Sequence, residues 1–155
     1  MNKRGDIVES VTEYVAIYLG AQLFGLPIER VQDVFVPGKM TAVPLAGPEI
    51  AGVINLRGRI VTAIDMRRRL GLPERERNIQ PMAVGVESNG ESYGLIIDQV
   101  GEVLKLNNDN REPTPVNLDA RMARVAAGIH RLDDQLLVIL DVDRVLDLEN
   151  AVMAA

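Results

Sequence analysis

Residues 24–34, Phe24-Gly25-Leu26-Pro27-Ile28-Glu29-Arg30-Val31-Gln32-Asp33-Val34, align without a gap with Tyr93-Gly94-Leu95-Ile96-Ile97-Asp98-Gln99-Val100-Gly101-Glu102-Val103, and residues 52–72 align without a gap with residues 128–148. A pattern written twice in one chain has to fold into two similar units. Its period of about 70 residues exceeds the roughly 20–50 of stacked repeat arrays, and two copies are too few for a solenoid. The mixed-charge stretch Pro73-Glu74-Arg75-Glu76-Arg77-Asn78 separates the copies. The expectation is two small, closely packed β-barrels, approximately residues 14–77 and 78–148, within one domain covering 14–148. Residues 1–13 and 149–155 read as flexible termini.

Within each copy the strongest local signal is a hairpin. In Gly52-Val53-Ile54-Asn55-Leu56-Arg57-Gly58-Arg59-Ile60-Val61-Thr62-Ala63-Ile64-Asp65, two apolar runs flank a polar turn at Arg57-Gly58, where glycine supplies the positive φ of a tight turn. Both arms are nearly continuous apolar runs, as in strands buried on two faces. Upstream, residues 14–19 and 23–28 read as strands around the turn Gly20-Ala21-Gln22, and residues 31–36 as a third strand closed by Pro37-Gly38. Residues 48–51 read as one helical turn. Asp65 is placed to cap a short helix, residues 66–70, with Gly71 and Pro73 beyond its end.

The duplication also separates scaffold from function, because a feature kept in both copies is explained by the shared barrel. Asp65 and Asp141 occupy equivalent positions and read as structural caps. The hairpin tip differs: Arg57-Gly58 in the first copy is Asp133-Asp134 in the second. The barrel itself does not require an arginine there, which leaves Arg57 free to present its planar fork of donors to a protein partner. Asp33 lies mid-strand, where aspartate is disfavoured, yet its equivalent is Glu102, so a structural role stands beside a functional one. Arg67, Arg68 and Arg69 read as the solvated end of a helix whose dipole favours cations, with an acidic partner or nucleic acid as the alternative.

Composition narrows the function classes. The 155 residues are 47% hydrophobic, enough for a core, and contain no cysteine, which removes disulfides, zinc–thiolate sites and cysteine nucleophiles. Net charge is −5 and the aromatics are only Tyr14, Tyr18, Phe24, Phe35 and Tyr93, a poor basis for reading nucleic acid. No apolar run approaches the roughly 20 residues of a membrane span. His130, the only histidine, lies in an apolar arm and reads as a packed or edge-strand residue. The acidic pairs Asp133-Asp134 and Asp141 with Asp143 read as turns and caps. No phosphate-binding glycine loop occurs. The expectation is a non-enzymatic protein without metal or cofactor; a small-barrel ligand or oligonucleotide binder is the rival.

Gly52-Val53-Ile54-Asn55-Leu56-Arg57-Gly58, then Ile64-Asp65-Met66-Arg67, then Tyr93-Gly94-Leu95-Ile96-Ile97-Asp98-Gln99-Val100 resemble, in order and spacing, the CheW family of bacterial chemotaxis coupling proteins. The similarity runs from about Tyr14 to Leu148. It implies two five-stranded SH3-like barrels with short capping helices, and a cytoplasmic adaptor joining the regulatory domain of a CheA-type histidine kinase to the signalling tip of methyl-accepting chemoreceptors, in chemotaxis or in a related motility pathway. It implies partner contacts at Val31, Asp33, Asn55, Arg57 and Gly58. The chain departs from the family at Asp33, where a glutamate is usual, and at Thr62, where a proline is common. A whole kinase or a fused receiver domain would not fit in 155 residues.

Overall fold

The computed structural model describes residues 10–148 and is mainly β, with three short helices. Ten strands run in chain order: β1 (Val11–Leu19), β2 (Gln22–Pro27), β3 (Val31–Phe35), β4 (Ile50–Leu56), β5 (Arg59–Asp65), β6 (Met82–Ser88), β7 (Glu91–Ile97), β8 (Gln99–Asn107), β9 (Ala126–Arg131) and β10 (Leu136–Leu140). The helices are α1 (Met66–Arg69), α2 (Ala120–Val125) and α3 (Val142–Val145). Residues 11–13, expected in a flexible terminus, belong to β1 and pair with β8. Residues 1–9 and 149–155 lie outside the described residues. Residues 48 and 49 form a turn, and Ile50 already begins β4, so the expected helical turn gives way to strand pairing of Ile50 with Ile64.

The strands form two five-stranded sheets ordered β8-β1-β2-β10-β9 and β3-β6-β7-β5-β4. Replacing each strand by its repeat partner (β1 by β6, β2 by β7, β3 by β8, β4 by β9, β5 by β10) turns the first order into the second. Each sheet therefore takes two strands from one repeat and three from the other, which corrects the expected division at residues 77 and 78. The reason lies in the junctions. Only the turn Ile28–Arg30 separates β2 from β3, and only Asp98 separates β7 from β8. With strands about 4.8 Å apart, neither junction is long enough to carry the chain back over its own hairpin. The third strand of each repeat must cross to the other sheet.

This crossing accounts for the unbroken apolar runs. Tyr14 and Ala16 of β1 pack with Leu23, Leu137 and Ile139 in a cluster belonging to the first sheet. Val15, Ile17 and Leu19 point the opposite way, into the shared core with Ile64, Val84, Val86, Leu95 and Ile97 of the second sheet. The second sheet mirrors this, with Val61, Ala63 and Ala83 in its own cluster. Strands apolar on both faces are the signature of a layer packed on both sides.

Two arginines of α1 fasten the halves, and the expectation of a solvated triple arginine is corrected. Arg69 is 7% exposed and donates to the carbonyls of Val145 and Arg144 at 2.9 Å each, which ties it to the C-terminal end of α3, where carbonyls lack helical partners or have acceptor capacity to spare. Burial lowers its pKa, but a guanidinium stays charged. Arg67 donates to both oxygens of Asp98, and Arg75 donates to Asp98 Oδ1 at 2.7 Å. Of the three, Arg68 alone is exposed.

Candidate protein-binding site

The β4–β5 hairpin closes on Arg57 and Gly58, whose φ angles are 53° and 82°. Both central residues are left-handed, the geometry of a two-residue turn whose twist matches its strands, and asparagine or glycine suits the first position better than any other residue. Arginine there costs about 1 kcal/mol of backbone strain. Asn55 stabilises the turn by accepting from the Gly58 amide at 3.0 Å through its Oδ1. The other left-handed hairpin, Asn89-Gly90, uses the favoured pair. Arg57 and Arg59 are exposed, Ile60 is 61% exposed, and within the described residues neither arginine has a hydrogen-bond or ion-pair partner. The equivalent tip in the second repeat carries Asp133 and Asp134 and closes through the Leu132 amide and Gln135 carbonyl at 2.9 Å, without left-handed residues.

Beside the tip lies an open groove of about 650 Å³, lined by Phe35, Val36, Val53, Asn55, Leu56 and Ile60 among others. It forms where β3 and β4, the two edges of the second sheet, face each other. Along β3, Val31, Asp33 and Phe35 alternate with the exposed Gln32, Val34 and Val36. Val34 and Val36 are 40% and 57% exposed.

The structure thus brings Asn55, Arg57 and Gly58 together beside the end of β3. Val31 is set apart from them: it is half-buried and packs against the shared core. Asp33 is half-buried opposite Gly85 of β6, just after an irregularity in the β3–β6 register. Within the described residues it makes no hydrogen bond or ion pair. Asp65 caps α1 by accepting from the amides of Arg67 and Arg68 at 3.0 and 3.3 Å; Asp141 accepts from the Arg144 amide at 3.1 Å at the start of α3. The residues that sequence reasoning missed are Val34, Val36, Arg59 and Ile60. Period-two alternation along β3 carries the signal for the valines, since they share a face opposite Val31.

His130 is 2% exposed and stacks obliquely near Tyr14 with ring centroids 5.9 Å apart, and its Nε2 is buried without a partner. Burial first, and then Arg111, lowers its pKa, which favours the neutral ring in the folded protein. Its equivalent in the first repeat is Ile54, also buried. We predict that His130→Ile raises stability by about 1 kcal/mol at pH 7, removing an orphaned buried nitrogen. The gain grows at pH 5, because a histidine whose pKa is lowered by folding binds a proton more readily in the unfolded chain, which favours unfolding as the pH falls. Urea melts at both pH values check this; an unchanged difference between them contradicts it.

Among the described residues no group of three or more histidine, cysteine, aspartate or glutamate side chains could hold a metal ion. No helix there is long and apolar enough to cross a membrane. The family model for the CheW-like domain matches residues 13–150. The chain is 27% identical to a chemotaxis protein CheW of Helicobacter pylori, over 89% of this chain and 83% of that one. It is 26% identical to the chemotaxis protein CheW of Bacillus subtilis, over 93% and 92%. Among solved structures, the scaffolding protein TtCheW of Thermoanaerobacter tengcongensis superposes with a TM-score of 0.75 at 32% identity, covering 84% of this chain and 89% of that one.

Proposed function

The chain belongs to the CheW-like domain family, and on that premise we propose that it is a chemotaxis adaptor working by surface binding alone. In this reading it joins the regulatory domain of a CheA-type histidine kinase to the cytoplasmic signalling tip of methyl-accepting chemoreceptors, and is drawn to membrane arrays through those protein contacts. It carries out no chemistry and needs no cofactor. Kinase control follows because each partner biases the state of the other through the scaffold they share, a coupling that acts equally in both directions.

The observation that carries this reading is the strained Arg57, without a partner among the described residues, beside an open apolar groove. Residues held in strained backbone conformations cluster at functional sites, and the second repeat closes the equivalent hairpin without one. A guanidinium next to apolar surface that a partner can desolvate is a common composition of a protein-binding hot spot.

The test is a calorimetric titration of the protein with a CheA regulatory domain and, separately, with a receptor signalling-tip fragment from the same source. Saturable binding to both is expected. Arg57→Glu should weaken at least one of them by tenfold or more, about 1.4 kcal/mol, without moving the melting temperature. Unchanged affinities for both partners would remove Arg57 from the interface, and no binding to either would end the coupling reading.

A further inference from the structure

Gly85 lies in the middle of β6, opposite Asp33 of β3. A Cβ built on Gly85 would clash with Asp33 Oδ1 and come within 3.3 Å of Asp33 Cγ, while the nearest backbone atom is the Asp33 carbonyl oxygen at 3.7 Å. The space that a side chain would take at Gly85 is therefore occupied by one thing, the Asp33 carboxylate. Gly85 is itself buried, and a glycine inside a strand loosens it and leaves nothing to pack. Its φ is not left-handed, so the backbone does not require it. What requires it is the close approach of the carboxylate.

The carboxylate has no internal reason to lie there. It has no hydrogen-bond or ion-pair partner within the described residues, and it is partly withdrawn from water. A half-desolvated anion without a partner is unfavourable alone and favourable to a cation that arrives with its own hydrogen bonds. The short aspartate arm and the missing Cβ fit each other: the carboxylate lies across the neighbouring strand, low against the sheet.

We propose that Gly85 is a positioning residue for Asp33, holding its carboxylate flat across β6 where it receives a guanidinium or ammonium group of a protein partner. This deepens the adaptor reading and rests on it for the identity of the partner. Because the displaced group is the free end of a side chain, Gly85→Ala leaves the fold intact and lifts the carboxylate out of its place.

A double-mutant cycle isolates the effect. Gly85→Ala, Asp33→Ala and the double variant are titrated with the kinase regulatory domain and with the receptor-tip fragment, and each variant's Asp33 or alanine signals are followed by NMR. For the partner that uses Asp33, Gly85→Ala should weaken binding about tenfold in the native background and less than twofold in the Asp33→Ala background. The Asp33 carboxyl carbon should shift on Gly85→Ala while amides of the first sheet stay in place. Equal weakening in both backgrounds means that Gly85 acts through the fold, and it overturns the proposal. So does an Asp33 carboxyl signal that does not move. If Gly85→Ala fails to fold but the double variant folds, the steric link between the two residues is established directly. If the unmutated chain binds neither partner, the adaptor reading fails, and the carboxyl shift still decides whether Gly85 places Asp33.

Discussion

Asp98→Ala should lower the unfolding free energy by about 3–5 kcal/mol at pH 7, the usual loss when one partner of a buried ionic cluster is removed. Asp98 sits on the one-residue junction between β7 and β8, where the chain crosses from one sheet to the other. Its side chain is 8% exposed and accepts from Arg67 Nε and Nη2, Arg75 Nε and the Gly20 amide. Burial pushes its pKa up, but those donors outweigh it and bring the carboxyl down to about 2. Removing it strands two guanidiniums that are 12% and 13% exposed, and the Nη2 of Arg75 already has no partner. Arg75→Met in the Asp98→Ala background should recover part of the loss, because it withdraws one of the stranded charges.

The same carboxylate sets an acid limit. A depressed carboxyl pKa contributes stability that is complete above the unfolded value near 4 and disappears as pH falls from about 4 to about 2. That contribution is roughly 2 kcal/mol. In urea melts between pH 7 and pH 2 the stability gap between the native protein and Asp98→Ala should therefore narrow by roughly 2 kcal/mol toward the acid end. A loss below about 1 kcal/mol at pH 7 would show that the cluster is an incidental surface feature.

Much of this arrangement was legible in the residues, and the parts that were not share a cause. The hairpins, their capped helices and the equivalence of Asp65 with Asp141 follow from local rules: glycine at a turn, an acid at a helix start, apolar runs of strand length. Arg57 stood out because its equivalent is Asp133, a contrast internal to the chain. Val31 lies away from the groove for a different reason. Which side of a strand faces a partner depends on what covers each side, and the irregularity between Val31 and Asp33 shifts the register there. The arginines of α1 were read as solvated because helix position favours them there, whereas the elements that bury Arg67 and Arg69 come from β7, the following loop and α3, all distant in sequence. The exchange of strands escaped the repeat itself, since two halves paired internally or mutually have the same sequence. Junction length was the available signal: Asp98 alone between two strands leaves no room to turn.

That exchange makes the second large prediction. Residues 10–77 and 78–148 correspond to the two repeats, and each contains five strands, but neither contains a complete sheet. The first segment holds β1 and β2, whose neighbours β8 and β10 are absent, and β3 to β5, whose neighbours β6 and β7 are absent. Expressed separately, each segment should be unfolded, with collapsed amide dispersion and no cooperative thermal transition. Mixed in equal amounts, the two should recover the native spectrum, because all ten strands and the shared core of Ile17, Phe24, Leu26, Val84, Leu95 and Val138 are then restored. Residues 28–98 make the sharper case. They include every strand of the second sheet in one contiguous stretch, yet one face of it would expose Ile64, Val84, Val86, Leu95 and Ile97, each buried at 0% in the whole protein. At about 25 cal/mol per Å² of apolar surface, losing that burial leaves a small sheet without enough core to offset its chain entropy, so this segment should form at most a fluctuating, aggregation-prone state. A cooperative transition in residues 10–77 alone would mean that a repeat can close its own barrel after all. The one- and three-residue junctions would then not be what drives the strands across.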